Sequence, residues 1–293
     1  MTGSPTLTRQ GADRMHAVAH WLGVLVLPFL AVAVVLLYLF PTRTDVLFAW
    51  TIAPPLSALF LACAYIGGIW FFVRAVRETR WHRLHRGFNA VLVFATLLGA
   101  ATVLHWDRFH HGTVIFVVWA TLYATTPFLT AVVLGVHRGI DDGRPDERDY
   151  LLPGAVRAVL VLVGLAALAA GVALFLFPVQ LGPFWAWELT PLTARVVGAV
   201  LTLPGMVNLW MLRDARWSAF RQVFQAQILS LTFILLALLL HHGDLTGPSA
   251  VPVAAGFCVS FVAYVTFYVV CERRRRAPEQ PPVPPAQPAV APS

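Results

Sequence analysis

Eight stretches of this chain are long and apolar enough that no water-soluble fold could bury them all: 16–40, 51–76, 88–105, 113–136, 154–177, 191–212, 220–240 and 250–271. Each lies near the roughly 20 residues a helix needs to cross about 30 Å of hydrocarbon. With 58% hydrophobic and 12% charged residues, the chain has too little polar surface to enclose such runs in water. In lipid the backbone must satisfy its own hydrogen bonds, which leaves helices or a closed barrel. Barrel strands would show alternating segments of about ten residues, and none is present. The expected fold is all-α, an integral membrane bundle of eight transmembrane helices.

The eight runs form two sets of four. Trp185-Ala-Trp-Glu-Leu-Thr-Pro-Leu-Thr-Ala-Arg195 restates Phe48-Ala-Trp-Thr-Ile-Ala-Pro54 at an offset of 137. At that offset Phe40-Pro41 falls on Phe177-Pro178, Trp50 on Trp187 and Gly68 on Gly205. After one deleted residue, Arg77 pairs with Arg213, Arg80 with Arg216, Trp81 with Trp217, Phe88 with Phe224 and His105 with His241. Rare residues recurring in order mark an internal duplication. Four spans is an even number, so the repeats are parallel and their pseudo-twofold axis runs along the membrane normal. The expected organisation is an N-terminal segment 1–15, a first repeat 16–136, a linker 137–152, a second repeat 153–271 and a tail 272–293. A cleavable leader is not expected, because 16–41 corresponds to the interior stretch 153–178.

Arginine sets the orientation. The net charge of +7 comes from 21 basic residues, all of them Arg, concentrated before the first run, in alternate loops and after the last run. The other loops hold only Arg43 and Arg108, so the positive-inside rule places both termini in the cytoplasm. The expected partner is a bilayer with anionic headgroups rather than nucleic acid. Arg74, Arg77, Arg80, Arg83 and Arg86 recur every third residue, which wraps a helix instead of striping it and suits headgroup contact. Trp50, Trp106, Trp185 and Trp187 on one side, and Trp81 and Trp217 on the other, read as interfacial anchors. The acidic linker matches no calcium-loop spacing. From Ala277 the Pro-rich tail reads as disordered, with Pro278-Glu-Gln-Pro281 as a possible docking motif. Cys63, Cys258 and Cys271 have neither disulfide nor metal spacing.

Three places could carry chemistry. Thr190 and Pro191 read as the cap and first position of the sixth helix, which puts Arg195 one turn inside at the positive end of the helix dipole. Something must compensate that charge: Glu188, an outward snorkel, or an anionic substrate. The equivalent residue is Ala58, so the site is asymmetric. Gly67-Gly68 and Pro204-Gly205 interrupt corresponding helices, as close-packing contacts or as the walls of a central cavity with Thr202 and Asn208 nearby. Arg195, Glu188, Asn208, Gly68 and Gly205 are thus the candidate substrate-binding set. No Asp or Glu lies mid-helix, against a carboxylate proton relay. His105 and His241 end the third and seventh helices and, with His110, His111, Asp107 and Asp244, form a candidate metal set suited to Zn or Cu. Two facing histidines could instead ligate haem iron. Heme A synthase shares the plan of two four-helix halves but nothing more, since only one membrane-end histidine recurs per half here.

The Trp-x-Trp-x-Leu-Thr-Pro-Leu-x-Ala-Arg string at 185–195 and the Leu-His-x-Asp-x-Phe-His string at 104–110 resemble those of uncharacterised multi-pass membrane proteins of high-GC Gram-positive bacteria. That resemblance implies a bacterial plasma membrane and supplies no activity and no cofactor. The functional expectation is a protein that binds or moves a small or lipid-like solute at the repeat interface. The alternatives are a metal- or haem-binding redox protein and a structural or assembly protein.

Overall fold

The computed structural model describes residues 13–276. Arg9 and the Pro-rich tail with its Pro278–Pro281 motif lie outside them. Eight helices are long and apolar enough to span a membrane: α1 Ala17–Leu39, α2 Pro55–Arg77, α3 His85–Leu104, α4 Val114–Val136, α5 Gly154–Leu176, α6 Pro191–Leu212, α7 Trp217–Leu240 and α8 Ala250–Arg276. The described residues contain no strand, only isolated bridges. The protein is an all-α, multi-pass membrane bundle.

Helix starts follow local chemistry. Thr113 Oγ1 accepts from Phe116 N at 3.2 Å to cap α4, and Thr190 Oγ1 accepts from Thr193 N at 3.2 Å to cap α6, each satisfying a donor the helix leaves free. Two starts lie three residues earlier than hydropathy suggests, at His85 and Trp217. For α7 the reason is a cap from the linker: Asp149 Oδ1 accepts from Ser218 N at 2.9 Å. Similarly α8 runs on through its arginines to Arg276, since Glu272 gathers Trp217 Nε1 at 2.9 Å, Arg221 at 2.7 Å and Arg275 at 3.2 Å.

The helices form two rows. In one, α1, α2, α7 and α8 pack side by side; in the other, α5, α6, α3 and α4 do. Exchanging the halves converts one row into the other. Each row therefore takes one hairpin from each half, and α2 packs on α7 rather than on its chain neighbour α3. Burial respects the same exchange, with 72% and 67% of the spanning windows of α2 and α6 buried against 39% for both α3 and α7.

Backbone hydrogen bonds recur at the sequence offset. Met15 N donates to Thr79 O at 2.8 Å and Leu152 N to Ala215 O at 2.7 Å. Trp81 N donates to Asp13 O at 3.2 Å and Trp217 N to Tyr150 O at 3.0 Å. On the opposite face His110 N donates to Ala49 O at 2.8 Å and Gly247 N to Ala186 O at 3.0 Å. The bridges Arg14–Arg80 and Leu151–Arg216 are a further such pair. Side chains do not all obey it. Trp187 Nε1 donates to Ser57 Oγ at 2.8 Å, but the residue equivalent to Ser57 is Ala194, and Trp50 Nε1 is buried without a partner.

Two expectations need correction. Trp50, Trp81, Trp187 and Trp217 are not interfacial anchors, being at most 3% exposed. Their rings lock the loops onto the helices; Trp81 stacks on His137 at 3.9 Å and Trp217 lies edge-on to Phe224 at 5.3 Å. Nor do the glycine pairs break their helices. A Cβ at Gly67 would lie 2.9 Å from Ala226 O of α7, and one at Gly205 2.9 Å from Gly164 O of α5, so these positions let backbones approach within a row.

Candidate functional site

The face opposite the termini holds most of the residues marked out by the sequence, but in different partnerships. Arg195 hydrogen-bonds through Nη1 to Nε2 of His105, and its guanidinium lies 6.0 Å from the Phe175 ring. Its Nε is buried and unpaired. Glu188 is exposed and forms no ion pair among the described residues. The compensating group is therefore a histidine from α3, brought in because α3 and α6 share a row. A guanidinium can only donate, so Nε2 accepts and His105 is neutral here. Burial, followed by the Arg195 charge, holds its pKa below the usual histidine value.

The expected metal set disperses. His110 binds Phe48 O at 2.9 Å through Nδ1 and Thr51 Oγ1 at 3.2 Å through Nε2, and His111 binds Trp106 O at 2.8 Å. Asp107 pairs only with Arg108, on the surface. His241 stands 3.8 Å from Asp244, whose Oδ2 accepts from Leu56 N at 3.0 Å. That last bond has a clear cause. The N-cap of α2 is Pro54, and the residue matching the Thr190 cap is Ala53, so neither offers an oxygen. Asp244 supplies it from the other half. His105 is thus committed to Arg195, while His241 stands beside Asp244, the residue that caps α2.

Asn208 is also remote from Arg195. Thirteen residues along one helix is about 20 Å. Its Nδ2 donates to Leu160 O at 3.1 Å, and its Cβ fills the notch left by Gly164, where an added Cβ would come within 2.5 Å. Gly68 and Gly205 lie in separate rows, facing Leu30 and Leu168. The five proposed substrate-binding residues do not converge on one place.

The other face, which carries both described termini, holds a cleft of about 860 Å³ at the end of the α2–α7 seam. Seven arginines and five carboxylates line it, from the N-terminal segment, the end of α2, the α2–α3 loop, the linker, α7 and the end of α8. Most charges are spoken for. Asp146 accepts from Arg80 and, at 2.8 Å, from Arg83; Asp149 Oδ2 accepts from Ser218 Oγ; Arg221 and Arg275 share Glu272. The side chains of Arg74 and Arg148 have no hydrogen bond or ion pair among the described residues. Among the described residues, buried Arg74 Nε and Arg275 Nε have no acceptor, and Gln222, 2% exposed, has an unpaired amide oxygen.

The equivalent end of the α3–α6 seam is filled. Arg86, matching Gln222, donates to Asp214 at 2.8 Å and covers the Trp210 ring at 4.4 Å. Arg216 donates to both Asp214 oxygens, at 2.9 and 2.8 Å, and to both Asp141 oxygens, at 2.7 and 2.6 Å. His85, Asp141 and Asp214 lie close enough together to suggest a cation site. However, Arg216 and Arg86 already supply its positive charge. The run Arg74–Arg86 is thus no continuous helix: α2 ends at Arg77, and Arg80, Arg83 and Arg86 pair with protein carboxylates.

No protein family, curated protein or solved structure matches the chain.

At the cleft rim, His82 is 3% exposed, and its Nδ1 bonds Asp13. Burial opposes its charge, but the bond to Asp13 and the carboxylate of Asp146, 3.6 Å from Nε2, outweigh burial and raise its pKa to about 9. His82, then Arg83, holds Asp146 well below the usual carboxylate range. A raised histidine pKa gives stability that is complete below the unfolded value of about 6.5. That stability vanishes as pH rises through about 9. Asp146 acts in the opposite sense, losing its contribution in acid below about pH 4. The thermal-midpoint difference between wild type and His82→Gln should therefore be largest between about pH 4 and 6.5, decline through neutrality and shrink towards zero above pH 9. A difference that persists unchanged to pH 10 would show that the charge of His82 holds nothing.

Proposed function

We propose that this is a bacterial plasma-membrane protein, with cytoplasmic termini, that binds a phosphate-type anion in the cleft at the end of the α2–α7 seam. The observation that carries the reading is that Arg74 and Arg148 face the cleft without a carboxylate, while the equivalent place in the other row is filled by Arg86 and Asp214. Two uncommitted guanidiniums, that of Arg74 with its Nε buried, suit an oxyanion with several acceptor oxygens. The anion is either a lipid headgroup or a soluble phosphate compound, because the cleft sits where the bundle meets both. The site joins elements of both halves, in keeping with a solute at the repeat interface, though at its edge rather than its centre.

The test is a titration of purified protein with inorganic pyrophosphate in neutral detergent, and a parallel one in nanodiscs with and without phosphatidylglycerol. Charge-assisted hydrogen bonds of about 1.5–3 kcal/mol imply that Arg74→Gln and Arg148→Gln each weaken binding roughly 10- to 100-fold. A response only to phosphatidylglycerol assigns the lipid; a response to pyrophosphate assigns a soluble ligand. Equal affinities for wild type and both variants would dismiss the site.

A further inference from the structure

The cleft already contains an anion of its own. Three linker carboxylates touch the helices, and they do different work. Asp141 is fixed by Arg216 at 2.7 and 2.6 Å, and Asp149 caps α7 at Ser218 N. Between these anchors Asp146 reaches back across the chain to three cationic groups of the α2–α3 loop: Arg80, Arg83 at 2.8 Å, and His82 at 3.6 Å. Arg83 also meets Glu78 at 3.4 Å and His82 also bonds Asp13, so release of Asp146 would leave these three cationic groups facing two carboxylates, with one positive charge to spare. That spare charge adds to Arg74 and Arg148, which line the same cleft, to match a phosphate with two negative charges. The linker from Arg138 to Leu152 contains no helix, so Asp146 sits on a segment held by side chains and a few turns rather than by a backbone ladder.

We propose that Asp146 is an internal competitor for the cleft, so that linker docking and anion binding exclude one another at Arg80, Arg83 and His82. The inference rests on the anion-binding reading of the cleft. A tethered carboxylate acts at an effective concentration in the millimolar range for short linkers, which sets how far it depresses apparent affinity. The linker would thereby report an occupied cleft to the face of the protein that carries the termini.

Two measurements on the full-length protein test this with the same probes, pyrophosphate and phosphatidylglycerol nanodiscs. First, Asp146→Asn should bind the responding probe roughly tenfold more tightly. Glu147→Gln, which removes a neighbouring charge that makes no ion pair among the described residues, should change affinity far less. Second, hydrogen exchange of wild-type amides across 142–148 should speed up on adding the probe, a readout that needs no variant to fold. If Arg74→Gln abolishes binding but Asp146→Asn does not tighten it, or exchange in the linker slows, competition is wrong and the cleft stands. An equal gain in Glu147→Gln would reduce the effect to general field and also overturn the proposal. If Arg74→Gln binds like wild type, the cleft itself is wrong and the competition falls with it.

Discussion

Replacing Arg216 with alanine should destabilise the bundle by about 3–5 kcal/mol, the range seen when one partner of a buried ion pair is removed and the other stays. Arg216 is 4% exposed, and its guanidinium is the only group bonded to both Asp141 and Asp214 among the described residues. Without it, Asp141 loses its cation, and Asp214, also 4% exposed, keeps only Arg86. Arg216→Lys should recover only part of the loss, since an ammonium cannot span two carboxylates as the planar fork does. Thermal unfolding in detergent at pH 7 would show the order wild type, then lysine, then alanine. An alanine variant within about 1 kcal/mol of wild type would place the network in the class of weak surface pairs. The equivalent change, Arg80→Ala, should cost much less, because Arg80 is far more exposed, its side chain at 41%, and Asp146 retains Arg83.

The pair of Arg195 and His105 gives a prediction whose sign is informative. His105→Ala should cost about 1–3 kcal/mol, since it leaves a partly buried guanidinium without an acceptor at the wrong end of the helix dipole. Arg195→Met should be neutral or should stabilise, because it removes the desolvated charge, and the thioether can pack against Phe175. If Arg195→Met instead costs several kcal/mol, the guanidinium has an anionic partner in the folded protein, and that face becomes a second ligand site. Melting curves of both variants and of the double variant decide it.

The architecture could be read from the chain because run length and the recurrence of rare residues both survive translation into helices. Burial in lipid forces each run into a helix, and duplication fixes how the runs correspond. Neither reveals which helices touch. Glu188 looked like the mate of Arg195 because it is seven residues away, whereas His105 is 90 residues away and meets it only through the pairing of α3 with α6. The glycines of α2 and α6 could be located but not interpreted, since a seam and a cavity place the same residue in a membrane helix. The cleft was hidden by the spacing of Arg74 to Arg86, which looks helical on paper, although the chain turns at 78–84. A signal was available. Glu78-x-Arg80-Trp81 and Asp214-x-Arg216-Trp217 repeat an acid two residues before an arginine, and an acid preserved at the same point of both loops implies something there to bind.

The two rows have a consequence for how the halves depend on each other. A lone four-helix unit would present α2 with no α7 and α3 with no α6, exposing the most extensively packed of its helices. A second copy in the same orientation is the one partner that completes both seams at once. Neither half is therefore a complete bundle by itself, since each supplies the neighbours that the other lacks. The halves nonetheless differ where their seams end, one closed over Arg86 and Asp214 and the other open as the cleft.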